Sequence, residues 1–197
     1  MKTRIAALAA VALTGAIALA GCAPTGMGNM PGMGGGSSGS GGSSSSSKAF
    51  NSADVTFAQM MIPHHKQAVQ MADMLLKKEG IDARVVALAQ RIKDAQSPEI
   101  TTMTGWLKDW GKSTSMSGMS GMSGMSDADM SALENATGTE ASKLFLTQMT
   151  AHHKGAIAMA KTQISDGKFP DAVQLANDIV KSQTAEIDEM TQLLATL

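Results

Sequence analysis

One stretch of this chain occurs twice. Phe57-Ala-Gln-Met-Met61-Ile-Pro-His64-His65-Lys66-Gln-Ala68-Val-Gln-Met71-Ala72 is matched by Phe145-Leu-Thr-Gln-Met149-Thr-Ala-His152-His153-Lys154-Gly-Ala156-Ile-Ala-Met159-Ala160 at an offset of 88 residues. Further on, Leu88, Ile92, Gln96, Glu99, Ile100 and Met103 match Leu175, Ile179, Gln183, Glu186, Ile187 and Met190 at an offset of 87, so one turn differs by a residue. A repeat of this kind sets the architecture before any single residue does. Each unit reads as a helical hairpin. Two hairpins make an all-α four-helix bundle with a pseudo-two-fold axis.

The periodicity agrees. Ala58, Ile62, His65, Val69, Ala72 and Leu76 fall at steps of three and four, one face of a helix. Val85, Leu88, Ile92, Gln96, Ile100, Met103 and Leu107 do the same on its partner. The second unit shows Leu146, Met149, His153, Ala156, Ala160 and Ile164, then Leu175, Ile179, Gln183, Glu186, Met190 and Leu193. Ser52 and Asp82 suit N-caps, Gly80 suits a helix stop, and Asp127 suits the start of a short extra helix. His65 and His153 therefore face the core. Hairpin arithmetic sets each level with a glutamine, Gln96 and Gln183, with Glu99 and Glu186 one turn away.

Outside the repeats the composition changes. Lys2 and Arg4 precede an apolar run from Ile5 to Ala20, which ends in Leu19-Ala20-Gly21-Cys22. A basic start, a short apolar stretch and small residues at a cleavage site read as a secretory signal over residues 1–21. The run is too short for an ordinary membrane span. Leu-Ala-Gly-Cys resembles a bacterial lipobox, which makes Cys22, the sole cysteine, the lipidated N-terminus of the mature chain. Acyl chains contribute about 0.8 kcal/mol per buried CH₂ and would anchor the protein at the cell envelope, periplasmic or outward-facing. Residues 22–47 are a Gly/Ser/Met-rich tether, which lacks the apolar surface to form a core. Residues 112–126 form a second such segment between the hairpins at 48–111 and 127–197.

The chemistry lies in histidine and methionine. All four histidines of the chain sit in the two His-His pairs. Met61 and Met149 precede the pairs by a turn, and Met71 and Met159 follow His64 and His152 by seven residues. Neighbouring histidines on a helix point about 100° apart, so one pair does not chelate one ion from a regular helix. A site is expected to combine one histidine with a methionine a turn away and a ligand from another helix or tail. Met27, Met30 and Met33 in the tether, and Met116, Met119, Met122 and Met125 in the linker, repeat at every third residue and suit auxiliary capture. Thioether with imidazole selects Cu(I) and Ag(I), and imidazole also suits Cu(II). Methionine on a helical stripe serves equally as core filler, which is the competing account of those side chains.

Other classes fit poorly. A net charge of -1 offers nucleic acid no basic surface. One cysteine excludes intramolecular disulfides and Cys-rich metal sites. No Glu stands three residues before a His, as a di-iron bundle requires, and no Ser-His-Asp order, P-loop or dinucleotide fingerprint appears. The chain is expected not to be an enzyme. The alternative is a helical interaction module that uses no metal.

Phe-x-x-x-Met-x-x-His-His-x-x-Ala-x-x-Met-Ala, followed by Gln-x-x-Glu-Ile-x-x-Met, resembles the bacterial domain of unknown function 305 family. The resemblance covers residues 53–110 and 139–194. It implies a ferritin-like four-helix bundle and an extracytoplasmic copper-binding role in metal buffering or resistance. Carried over by position, it implicates His64, His65, Met71, His152, His153 and Met159, with Met61 and Met149 before the pairs. Pro63 and Thr150 depart from the pattern.

Overall fold

A computed structural model describes residues 49–115 and 124–197. The signal segment, Cys22, the tether with Met27, Met30 and Met33, and Met116, Met119 and Met122 lie outside the described residues. Five helices follow in chain order: α1 Ser52–Leu76, α2 Ala83–Asp109, α3 Asp127–Asn135, α4 Gly138–Asp166 and α5 Pro170–Leu194. No strand occurs among the described residues, so the chain is all-α. No described helix is long and apolar enough to cross a membrane.

The helix ends have local causes. Asn51, not Ser52, caps α1, because Asn51 Oδ1 accepts from Asp54 N while Asp54 Oδ2 accepts from Asn51 N. Asp82 caps α2 by accepting from Arg84 N at 2.8 Å. Ser126 and Asp129 form the capping box of α3. Pro170 opens α5, where its missing N–H has no partner to lose. Gly80 takes φ +71° in the turn between α1 and α2, a conformation that disfavours side chains. α1 runs through Pro63 and α2 through Pro98, both exposed.

α1 packs on α2 and α4 on α5, and the two hairpins meet chiefly through α1 against α4. The interior divides into two apolar cores. One joins the C-terminal half of α1 and the N-terminal half of α2 to the N-terminal half of α4 and the end of α5, around Leu75, Leu88, Phe145 and Met190. The other joins the opposite halves, around Phe57, Met103, Ala160 and Ile179. Exchanging the repeats exchanges these cores, as a pseudo-two-fold axis through the middle of the bundle requires. α3 breaks the symmetry by packing Leu133 into the first core alone.

The two hairpins are tied at equivalent points. Asp54 is fully buried and accepts from Gln163 Nε2 and from the backbone N–H groups of Lys168 and Phe169, which fixes the α4–α5 turn to the start of α1. Its counterpart is Ser142, whose Oγ accepts from Asp82 N across the other hairpin turn. The second core ends in an aromatic cap: Phe50 stacks on Trp110 at 4.7 Å, and Phe169 meets Trp106 and Trp110 edge-on.

Candidate metal centre

Between the two cores lies a polar layer. His64 and His65 stand near the middle of α1, and His152 and His153 near the middle of α4. Because α1 and α4 cross there, the first histidine of each pair meets its counterpart. The rings of His64 and His152 are 3.6 Å apart between centroids and inclined at 35°. Both residues are only 2% exposed, so the contact is buried.

Two imidazolium rings could not stack this way. Burial, and then the charges of the neighbouring histidines, push His64 down from the ordinary 6.5 to about 3. Burial, and then the neighbouring histidines, push His152 down to about 2, offset in part by the backbone of His64. Both rings are therefore neutral near pH 7, each with a free lone pair. His64 Nδ1 and both ring nitrogens of His152 are buried without a hydrogen-bond partner. Each such orphan costs about 1–3 kcal/mol, so the layer gains stability from anything that satisfies it.

The second histidine of each pair turns the other way. His65 Nε2 lies 2.6 Å from Glu99 Oε2, and His153 Nε2 lies 2.6 Å from Glu186 Oε2. With Nε2–H donating to the carboxylate, Nδ1 carries the lone pair in the neutral ring, and Nδ1 of both residues is buried without a partner. A carboxylate that fixes the orientation of an imidazole is the usual support for a metal-binding histidine.

Here the structure departs from the hairpin arithmetic. The partners are Glu99 and Glu186, and Gln96 and Gln183 are buried with Oε1 unpartnered. Helical side chains lean toward the N-terminus of their own helix. On an antiparallel neighbour that lean moves the contact about one turn toward its C-terminus, from 96 to 99 and from 183 to 186. A carboxylate also binds the ring N–H more strongly than an amide does.

The methionines divide. Met71 and Met149 are fully buried in the first core and Met61 in the second, while Met159 is partly buried against the second. Met71 stands seven residues beyond His64, about 10 Å along the axis, and both side chains lean the same way, so they do not converge. Met159 stands likewise to His152. Of the two methionines that follow the pairs, Met71 packs in the first core, and Met159, partly buried, lines a groove beside the second. Met61 and Met149 stand on the side toward which the imidazoles lean. Met125 is partly buried beside the first core and exchanges backbone hydrogen bonds with the Gln67 amide, at 2.7 and 2.9 Å.

Sequence reasoning missed three features. The meeting of His64 with His152 depends on how two hairpins cross, which no local pattern records. Met60 was passed over for Met61, yet it lines a groove with Met159. The pairing of Gln67 with Gly155 at equivalent repeat positions was visible at the offset of 88, as a large residue facing none. Among the described residues, no three His, Cys, Asp or Glu side chains converge as a ready-made cluster, which is the arrangement hard or borderline metals need.

The model of a domain of unknown function, DUF305, matches residues 54–194. The chain belongs to the DUF305 family. A DUF305 protein of Streptomyces coelicolor, assigned as secreted, has a crystal structure that is 36% identical, with a TM-score of 0.69 over 73% of this chain and 93% of that one. CopM in its Cu(I)-bound form is 31% identical, with a TM-score of 0.62 over 73% of this chain and 96% of CopM. CopM has also been solved with Cu(II) and with silver. Protein L153 of Acanthamoeba polyphaga mimivirus, itself uncharacterised, is 44% identical over 52 residues. That match takes in 26% of this chain and 34% of the viral protein, so the chain spans about a third of that relative's length.

Proposed function

We propose that this DUF305 chain is an extracytoplasmic copper-binding protein, lipid-anchored at the cell envelope through Cys22, that buffers or sequesters Cu(I) without turning over a substrate. The observation that carries this is the stack of His64 on His152: two neutral, buried imidazoles, one from each repeat, with ring nitrogens that nothing in the protein satisfies. CopM, similar along most of its length, binds Cu(I), Cu(II) and silver.

The donor set fits a soft ion. His64 and His152 are the primary ligands. His65 and His153 offer Nδ1, held in orientation by Glu99 and Glu186. Met61 and Met149 supply thioether, which needs no deprotonation and survives in an oxidising compartment. Ag(I) suits the same donors, and Cu(II) suits the imidazoles. Met27, Met30, Met33, Met116, Met119, Met122 and Met125 serve as auxiliary capture sites at the high local concentration that a tether provides.

The test is a Cu(I) titration of the mature chain carrying Cys22→Ser, against a competing chelator, beside a H64A/H152A variant. Tight binding that the variant loses is the expected result. Equal binding by both moves the chemistry to the methionine segments. Absence of binding in both, with folding intact, sinks the copper reading and leaves a helical interaction module.

A further inference from the structure

The two halves of the histidine layer are closed differently. Gly155 lies over His64: a Cβ at that position would sit 3.2 Å from His64 Nε2, closer than such contacts normally come. The repeat equivalent of Gly155 is Gln67, which does carry a side chain. That side chain is pinned. Its amide donates to Met125 O and accepts from Met125 N, and a Cβ on Gly124 would overlap its Oε1. Both ring nitrogens of His152, and Nδ1 of His64, are buried without a hydrogen-bond partner.

The approaches differ in the same sense. Beside His152 the groove between α1 and α4 is filled by α3, with Leu133 fully buried and Gln148 Nε2 donating to Asp129 O. The pseudo-two-fold equivalent of that groove is open. It has a volume of about 530 Å³ and is lined by Thr56, Phe57, Met60, Met159, Thr162 and Gln163 among others. Met60 is the repeat counterpart of Gln148. Met60 stands one turn from His64 on α1, and Met159 one turn from Gly155 on α4. The groove thus presents two thioethers, one a turn from His64 and the other a turn from Gly155.

We propose that a soft monovalent cation enters the histidine layer from this side only, by way of Met60 and Met159 and the gap at Gly155, and that Gln67 latched to Met125 shuts the equivalent entrance over His152. This rests on the copper reading above. A thioether holds such an ion without proton exchange, so the pair forms a stepping point, and the glycine is what leaves room for the last step.

Two measurements on the mature chain with Cys22→Ser test this. The metal-free protein is treated with diethyl pyrocarbonate, and the modified peptides are followed by mass spectrometry. His64 is expected to react several-fold faster than His152, and Gln67→Gly is expected to raise the His152 rate alone. Equal rates, or a faster His152, overturn the proposal. Cu(I) uptake from a chromogenic chelator is then timed by stopped flow. Gly155→Leu is expected to slow uptake by about tenfold, equivalent to about 1.4 kcal/mol of barrier, and adding Gln67→Gly restores it. Should Gly155→Leu fail to fold, Gly155→Ala replaces it, with a smaller slowing expected. An unchanged rate in a folded variant overturns the route. A wild-type protein that binds no copper while His64 still reacts first sinks the copper reading and leaves the one-sided opening standing.

Discussion

The buried imidazole stack makes the metal-free protein acid-sensitive, and the size of the effect follows from the structure. His64 and His152 titrate near 6.5 in the unfolded chain, but near 3 and 2 in the fold. Below pH 6.5 the unfolded state therefore binds protons that the native state refuses, and stability falls with falling pH. Above 6.5 the pair contributes no pH dependence. Two units lower, near pH 4.5, each histidine costs about 2.7 kcal/mol at about 1.36 kcal/mol per unit. The pair together costs about 5 kcal/mol, comparable to the whole stability of a small domain. The perturbation is the H64L/H152L variant, which keeps a buried apolar side chain and removes both titrations. The assay is urea unfolding followed by helical circular dichroism, with a strong copper chelator present, between about pH 7.5 and pH 4.5. The two proteins differ only at the stacked imidazoles, so the difference between the two stability curves reports what those rings contribute. The gap is expected to widen by about 5 kcal/mol in favour of the variant as pH falls. Parallel curves across that range would refute the claim that the two rings are held neutral by burial.

Three further outcomes follow from the same geometry. Glu99→Gln removes the carboxylate that orients His65 and should weaken Cu(I) binding by about tenfold in chelator competition, with Glu186→Gln matching it. Met71→Leu conserves volume in the first core and should cost less than about 1.5 kcal/mol in urea melts while leaving copper affinity unchanged; M61L/M149L should weaken affinity, because those thioethers border the imidazole layer. Asp54→Ala strips the acceptor from the α4–α5 turn and should destabilise the fold by about 3 kcal/mol or more, measured by thermal unfolding, with copper stoichiometry retained in the folded fraction.

Much of this molecule could be read from the chain itself, and the residues show why. A repeat with 3.6-residue periodicity placed His65 and His153 on the faces that meet their hairpin partners, since that depends only on spacing within a helix. The choice of Glu99 over Gln96 did not follow from level-matching. It depends on the lean of side chains along the axis, a shift of one turn that alters the identity of the partner. His64 facing His152 was further out of reach, because it is set by the crossing of two hairpins. Methionine was ambiguous for a chemical reason: Met71 as core filler and Met61 as bordering thioether carry the same side chain on the same helix. Only distance along the axis separates them.

The duplication also decides where the donors lie. A pseudo-two-fold axis that exchanges the repeats must bring a residue beside it next to its own counterpart. His64 and His152 occupy that position, whereas His65 and His153 are turned outward toward Glu99 and Glu186. The central pair of lone pairs is therefore a property of the joined hairpins, and neither hairpin possesses it alone. The apolar cores on either side supply the burial that keeps those rings neutral. Exact symmetry would give this centre two identical entrances. The chain departs from symmetry at Gln67 and Gly155 and at the groove that α3 fills on one side only, the features that distinguish the two approaches to the axis. Conserving the repeat builds the central donor pair; breaking it locally gives that pair a front and a back.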